Sequence, residues 1–259
     1  MIWTTQQRSD FGQLKAIIKG EGQNIVLLHG VGLRAEAWNA QINAFSQSYK
    51  VIAPDMPGHG ESNLDAITLD LSSYTKKITE AISEPAIVMG HSMGAMIALD
   101  LAIHHPDKVK AVVALNAIFQ RDKNAVNAVQ KRAKSLDGKT VADPTGPLTR
   151  WFSDQESDAA TACKEWLINV NPAGYRNAYT VFATENGPSP ENLRKLAMPA
   201  LFITGQNEPN STPTMSERMA ALTPKGQVMI IKDAAHMMPM THMDEVNQAL
   251  LSFIEEEVK

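Results

Sequence analysis

The pentapeptide Gly90-His91-Ser92-Met93-Gly94 constrains this chain more than any other feature. The apolar run Ala86 to Met89 precedes it, and the helical stretch Met93 to His104 follows. A serine between a strand and a helix demands a sharp turn, and glycines on either side let the backbone pass closely. The turn fixes a strand-turn-helix unit and lifts the Ser92 hydroxyl above the edge of a sheet.

The rest of the first half repeats that rhythm. Leu14 to Ile18, Ile25 to His29, Val51 to Ala53 and Val109 to Leu115 read as strands. Ala37 to Phe45 and Leu71 to Ile82 read as helices between them. Such alternation predicts an α/β fold, a mainly parallel sheet with helices on both faces. From about Gln120 to Glu185 the strands stop, and helical periodicity takes over in Ala125 to Leu136, Trp151 to Val170 and Tyr175 to Phe182. The β/α rhythm resumes at Ala200 to Thr204 and Val228 to Ile231, and a last helix spans Met243 to Glu256. The expected organisation is a core of residues 1–119 and 186–259, with residues 120–185 inserted as a helical lid.

The function classes narrow by exclusion. With 44% hydrophobic residues, the 259-residue chain can bury a large core, which rules out disorder. A formal charge of −4 shows no basic excess that would argue for nucleic acid or an anionic membrane. Cys163 is the single cysteine, so neither an intrachain disulfide nor a cysteine-based zinc cluster can form. No apolar run is long enough for a membrane helix, and the first residues show no secretory leader. The expectation is a cytoplasmic enzyme, monomer or homodimer, that acts on a small molecule without cofactor or metal.

The chemistry follows from what can meet Ser92. His29-Gly30-Val31-Gly32 follows a strand, so the Val31 N–H, with that of Met93, is placed to hold a developing oxyanion. Of seven histidines, His29 and His59 sit in structural loop motifs, the turn points His91 away, His104 and His105 close a helix, and His242 opens one. His236 remains: it follows the strand Val228 to Ile231 through a short loop and reaches the same sheet edge as Ser92. Glu208 is the carboxylate in the loop after the strand ending at Thr204, and it can orient the imidazole. Asp233 is the rival acid by proximity in sequence, although its place in a tight loop suits a turn. Asp55-Met56-Pro57-Gly58-His59-Gly60-Glu61-Ser62 reads as support for the site floor. Trp151 and Trp166 in the insertion, with Met237 beside the base, are the candidate substrate contacts. The methionines Met237, Met238, Met240 and Met243 read as packing, not as a metal site.

These segments, with Trp38, the His104 to Val109 stretch, Leu201 to Gly205 and Ala234 to His242, resemble the α/β-hydrolase fold superfamily along essentially the whole chain. Within it the chain is similar to small microbial serine hydrolases with an inserted helical lid. Relatives usually place Asp where Glu208 stands. The resemblance implies a serine hydrolase of a small carboxylic ester, lactone or thioester. Carbon–carbon bond hydrolases and perhydrolases share the same triad, and a non-catalytic receptor could share the fold. Dehalogenases and epoxide hydrolases of the superfamily use Asp, and Ser92 argues against both.

Overall fold

The computed structural model describes residues 2–65, 68–152 and 156–258. Among these, eight strands form one sheet. They are β1 (Ser9–Phe11), β2 (Leu14–Lys19), β3 (Asn24–Leu28), β4 (Lys50–Pro54), β5 (Ala86–His91), β6 (Val109–Leu115), β7 (Ala200–Gly205) and β8 (Gly226–Ile231). Their order across the sheet is β1-β2-β4-β3-β5-β6-β7-β8. β2 pairs antiparallel with β1 and β4, whereas the pairs from β4 across to β8 are parallel. The mainly parallel α/β sheet is therefore present. The sequence reading had not anticipated β1, whose three residues include polar Ser9 and Asp10 and carry too little pattern to stand out.

The helices are α1 (Asn39–Phe45), α2 (Leu71–Ala81), α3 (Met93–His104), α4 (Lys123–Ser135), α5 (Thr145–Phe152), α6 (Asp158–Asn169), α7 (Pro172–Thr184), α8 (Pro190–Arg194), α9 (Pro213–Leu222), α10 (Met238–Thr241) and α11 (Met243–Glu257). Successive side chains of a strand point to opposite faces, and both faces here are apolar. Val26, Leu28, Val88, Val112 and Phe202 pack on one side with Tyr74 and Ile78 of α2, Ile97 and Leu101 of α3, and Met219 of α9. Ile25, Leu27, Ile87, Met89, Val113 and Ile203 pack on the other with Ile42 of α1 and with Leu250 and Phe253 of α11. Strands covered on both sides read as near-continuous apolar runs. β1, β2 and β8 depart from this: β1 and β8 are the edge strands, and Val228 and Met229 of β8 remain exposed.

Helices α4 to α8 separate β6 from β7. Asp122 caps α4 by accepting from the Ala125 N–H, and Asn171 caps α7 from the Ala173 and Gly174 N–H groups. The expected single helix from Trp151 to Val170 is instead two. α5 ends at Phe152, and the Ser157 hydroxyl caps a new start by accepting from the Ala160 N–H. Residues 153–155 lie outside the described residues. No helix among the described residues is long and apolar enough to cross a membrane.

Candidate active site

Ser92 stands at the end of β5 with φ 57° and ψ −115°, a conformation a residue with a Cβ rarely adopts. Such strain costs about 1–3 kcal/mol and persists only where the surroundings enforce it. Here they do. The Ser92 N–H donates to the Leu115 carbonyl at 2.9 Å, and its own carbonyl accepts from Ala95 as α3 begins. A Cβ on Gly90 would collide with the Gly94 carbonyl, and one on Gly94 with the Leu28 carbonyl. The two glycines are there because β5, α3 and β3 meet too closely for any side chain.

His236 and Glu208 complete a chain of polar contacts. His236 Nδ1 donates to Glu208 Oε2 at 2.7 Å. That donation leaves Nε2 as the acceptor nitrogen of the neutral ring. Glu208 is 3% exposed, and its Oε1 accepts from the Asn210 N–H at 2.7 Å and the Ser211 N–H at 3.2 Å. Burial pushes the Glu208 pKa up, but His236 and these backbone donors outweigh it and hold the carboxyl below the usual range. Asp233, the rival acid, sits in a tight turn at φ 57° and donates its backbone N–H to Gln206 Oε1.

The loop carrying His236 is pinned from the ends of β5 and β6, three and two strands away. The His236 carbonyl accepts from His91 Nε2 at 2.8 Å and from Asn116 Nδ2 at 2.7 Å. Asn116 Oδ1 in turn accepts from the Gly205 N–H. The ends of β5, β6 and β7 thus share one hydrogen-bonded frame with the base. Burial, with His236 nearby, pulls the His91 pKa down to about 3, so its ring is neutral. The His91 ring holds the base loop, a role that the sequence pattern does not show. Nor does it show that of Asn116. These contacts span 145 and 120 residues, and no local spacing announces them.

The floor is braced as the sequence suggested. His29 Nε2 accepts from the Met56 N–H at 2.9 Å, and His59 Nε2 accepts from the Gly32 N–H at 3.1 Å. Asp55 accepts from Arg8, Ala35 and Glu61. This bracing fixes the loop Gly30-Val31-Gly32 over Ser92. Neither the Val31 nor the Met93 N–H finds an acceptor among the described residues. Val31 lines the cavity with Ser92, and Met93 follows Ser92 in the chain.

A cavity of about 460 Å³ opens over these groups. Gly30, Val31, Ser92 and His236 line it from the sheet side. Trp151, Tyr175, Tyr179 and Phe182 line it from the inserted helices, and so do Arg121, Arg132 and Arg150. Trp151 stacks on the His236 ring with centroids 5.7 Å apart and planes 18° from parallel. Trp166 and Met237 do not line this cavity. Met237 is 1% exposed in a cluster with Trp3, Leu33 and Met240, and Trp166 packs against the same cluster. An apolar residue on an amphipathic helix faces either the cavity or the core, and these two face the core. The arginines escaped the sequence reading because charged residues on a helical pattern look like a solvated face.

A model of the alpha/beta hydrolase fold family matches residues 23–243. The chain is 38% identical to (E)-2-((N-methylformamido)methylene)succinate hydrolase of Acinetobacter baylyi, over 98% of this chain and 99% of the relative. It is 27% identical to a pimeloyl-[acyl-carrier protein] methyl ester esterase of Xanthomonas oryzae, over 91% of this chain and 96% of the relative. Among solved structures, a thermophilic esterase from Thermogutta terrifontis superposes with a TM-score of 0.85 at 21% identity, covering 97% of this chain and 99% of that one.

Proposed function

The chain belongs to the α/β-hydrolase fold family and is an enzyme of the hydrolase class, and we propose that it cleaves a small acyl compound through a covalent acyl-enzyme on Ser92, without a cofactor. The observation that carries this reading is the 2.7 Å bond from His236 Nδ1 to the buried Glu208, with His236 and Ser92 lining one cavity. In the proposed mechanism, Ser92 Oγ attacks the substrate carbonyl as His236 Nε2 takes the hydroxyl proton. Glu208 holds the imidazole in the required tautomer and stabilises the imidazolium. The Val31 and Met93 N–H groups receive the negative charge that develops on the carbonyl oxygen. The tetrahedral intermediate collapses, and His236 returns the proton to the leaving atom. Water, deprotonated by His236, then attacks the acyl-Ser92 carbonyl and releases the acid. The inserted helices act as a lid that excludes water and supplies substrate contacts, Trp151 among them.

The bond cleaved is an ester, lactone or thioester on the reading of the site alone. The relative at 38% identity favours a second reading, an amide carried on a succinate skeleton, as its name states. The same acyl-enzyme chemistry serves both, with nitrogen as leaving atom in the second. An organophosphonate probe tests the common step. It should add its mass at Ser92 and block turnover, and Ser92→Ala should abolish both labelling and hydrolysis while the protein stays folded. Turnover that survives in a folded Ser92→Ala protein would remove Ser92 as nucleophile. A panel of p-nitrophenyl esters, lactones and N-acyl enamines then orders the linkages by kcat/KM.

A further inference from the structure

The cavity above Ser92 has a cationic roof. Arg121 follows the loop after β6 and is 7% exposed. Its Nη1 donates to the Phe182 carbonyl at 3.1 Å and the Glu185 carbonyl at 2.8 Å, and its guanidinium carbon lies 4.2 Å from the centre of the Phe182 ring. These contacts dock Arg121 on the end of α7, yet they leave Nη2 buried without a hydrogen-bond partner. Arg132 of α4 repeats the pattern one site along. Its Nη2 donates to the Tyr175 hydroxyl at 3.2 Å, and its guanidinium carbon stands 5.4 Å from the Tyr179 ring centre. Its Nε is buried and unpartnered.

Neither cation has a carboxylate within ion-pair distance among the described residues. Asp122 lines the same cavity, but its carboxylate is engaged at the Ala125 N–H as the cap of α4. Asp143 is the acidic residue whose field reaches Arg132. Arg121 is a buried guanidinium without a counter-charge, which is expensive; Arg132 is half-buried, with its Nε closed off. Packing alone would be served as well by a Met or Leu on Phe182 and Tyr179. The missing counter-charge and the position in the cavity together call for an anionic ligand. Arginine is the side chain whose planar fork matches a carboxylate.

Two anchors imply two anions. Arg132 is held beside Tyr175 and Tyr179, and Arg121 beside Phe182 and Glu185. The two guanidiniums rest on different rings, Phe182 and Tyr179, whose centroids are 5.8 Å apart. Each guanidinium therefore has its own group to take. Arg150, exposed and lining the same cavity, adds positive potential at the rim.

We propose that Arg121 and Arg132 form a two-point anion subsite that holds the two carboxylates of a short dicarboxylate substrate while Ser92 attacks its acyl group. The proposal rests on the hydrolase reading for the last clause only, since the binding step stands on the arginines.

The test is calorimetric, on folded Ser92→Ala protein, with succinate as probe. Succinate should bind, its neutral diamide should bind at least about 30-fold more weakly, and Arg121→Met and Arg132→Met should each cost a similar factor in Kd. Lys195→Met, a change on an exposed side chain of the α8 end, should bind succinate like the parent. Should a Met variant fail to fold, Arg121→Lys and Arg132→Lys keep the charge but lose the fork, and each should still weaken succinate measurably. Equal binding of succinate and diamide, or variants that bind succinate as the parent does, would overturn the subsite. Arginine-dependent succinate binding without phosphonate labelling of Ser92 would retain the subsite and overturn the acyl-enzyme. Labelling without arginine-dependent binding would do the reverse.

Discussion

The sheet edge and the inserted helices face one cavity but are built in opposite ways. At the edge the groups that hold the base are satisfied by protein, and the Val31 and Met93 N–H groups stay open. Glu208 holds His236 and two backbone donors, and the His236 carbonyl takes two side-chain donors from neighbouring strands. In the inserted helices the polar groups are left open: Arg121 and Arg132 each keep a buried nitrogen unpaired, and α4 buries none of its residues. A satisfied network fixes geometry, which the chemical step needs. An unsatisfied one waits for a ligand, which recognition needs. The same edge can therefore serve many substrates while the insertion decides between them.

The largest effect that sharpens this contrast belongs to Glu208. Glu208→Gln keeps the shape but presents an amide that can donate to His236 Nδ1 and turn the ring into the wrong tautomer. A tautomer error of that kind costs about 10⁴ in a serine protease triad, and kcat here should fall by about 10²–10⁴ with KM little changed. Glu208→Asp should recover part of the loss, limited by its shorter reach. Asp233→Asn should turn over normally. If Glu208→Gln were near normal and Asp233→Asn crippled, the acid would move to Asp233. If both variants stayed active, the site would work as a Ser–His dyad.

A middle-sized effect belongs to the insertion. Trp151 stacks on His236 and also lines a second opening beside Trp3, Asn207 and Asp233. Its removal should loosen the substrate more than it slows the chemistry. An aromatic contact of this kind is worth about 0.5–1.5 kcal/mol, so Trp151→Ala should raise KM about three- to tenfold and lower kcat by less. A variant that lost kcat a hundredfold at unchanged KM would place Trp151 on the chemical side of the divide.

The same divide marks what could be read without coordinates. The edge was legible because its constraints are local. Two glycines around Ser92 answer two collisions, and the order of Ser92, Glu208 and His236 follows the order of β5, β7 and β8. Glu208 was legible because its loop offered no other carboxylate. The supports from Asn116 and His91 were not, since each joins residues more than a hundred positions apart. In the insertion, a helical pattern gives the apolar side of each helix but not what that side meets. Trp151 met the cavity, Trp166 met the Trp3 and Met237 cluster, and nothing in their spacing separates them. Arg121 and Arg132 were illegible for the same reason: a solvated arginine and one that lines a cavity have the same letter.

The smallest effect at neutral pH tests the contrast through protons. The segment 120–185 contains no histidine, whereas His29, His59 and His91 are buried under the edge. Burial lowers all three pKa values, His59 and His91 to about 3. A group whose folded pKa is depressed gives stability that is fully present above its unfolded value and is lost as pH falls. The unfolded chain titrates these rings near 6.5, so from about pH 6.5 downward it takes up protons the native state refuses. Stability should therefore fall by about 1.4 kcal/mol per pH unit for each refused proton. Urea midpoints measured between pH 7.5 and 5 should trace that decline. His91→Gln removes one titrating ring while its amide can still donate to the His236 carbonyl, so the acid limb should become shallower by one proton. The arginines add no such limb to stability, because a guanidinium keeps its charge throughout this range. An acid limb left as steep in His91→Gln as in the parent would mean that the protons go elsewhere, and that the edge is not held together by the neutral ring of His91.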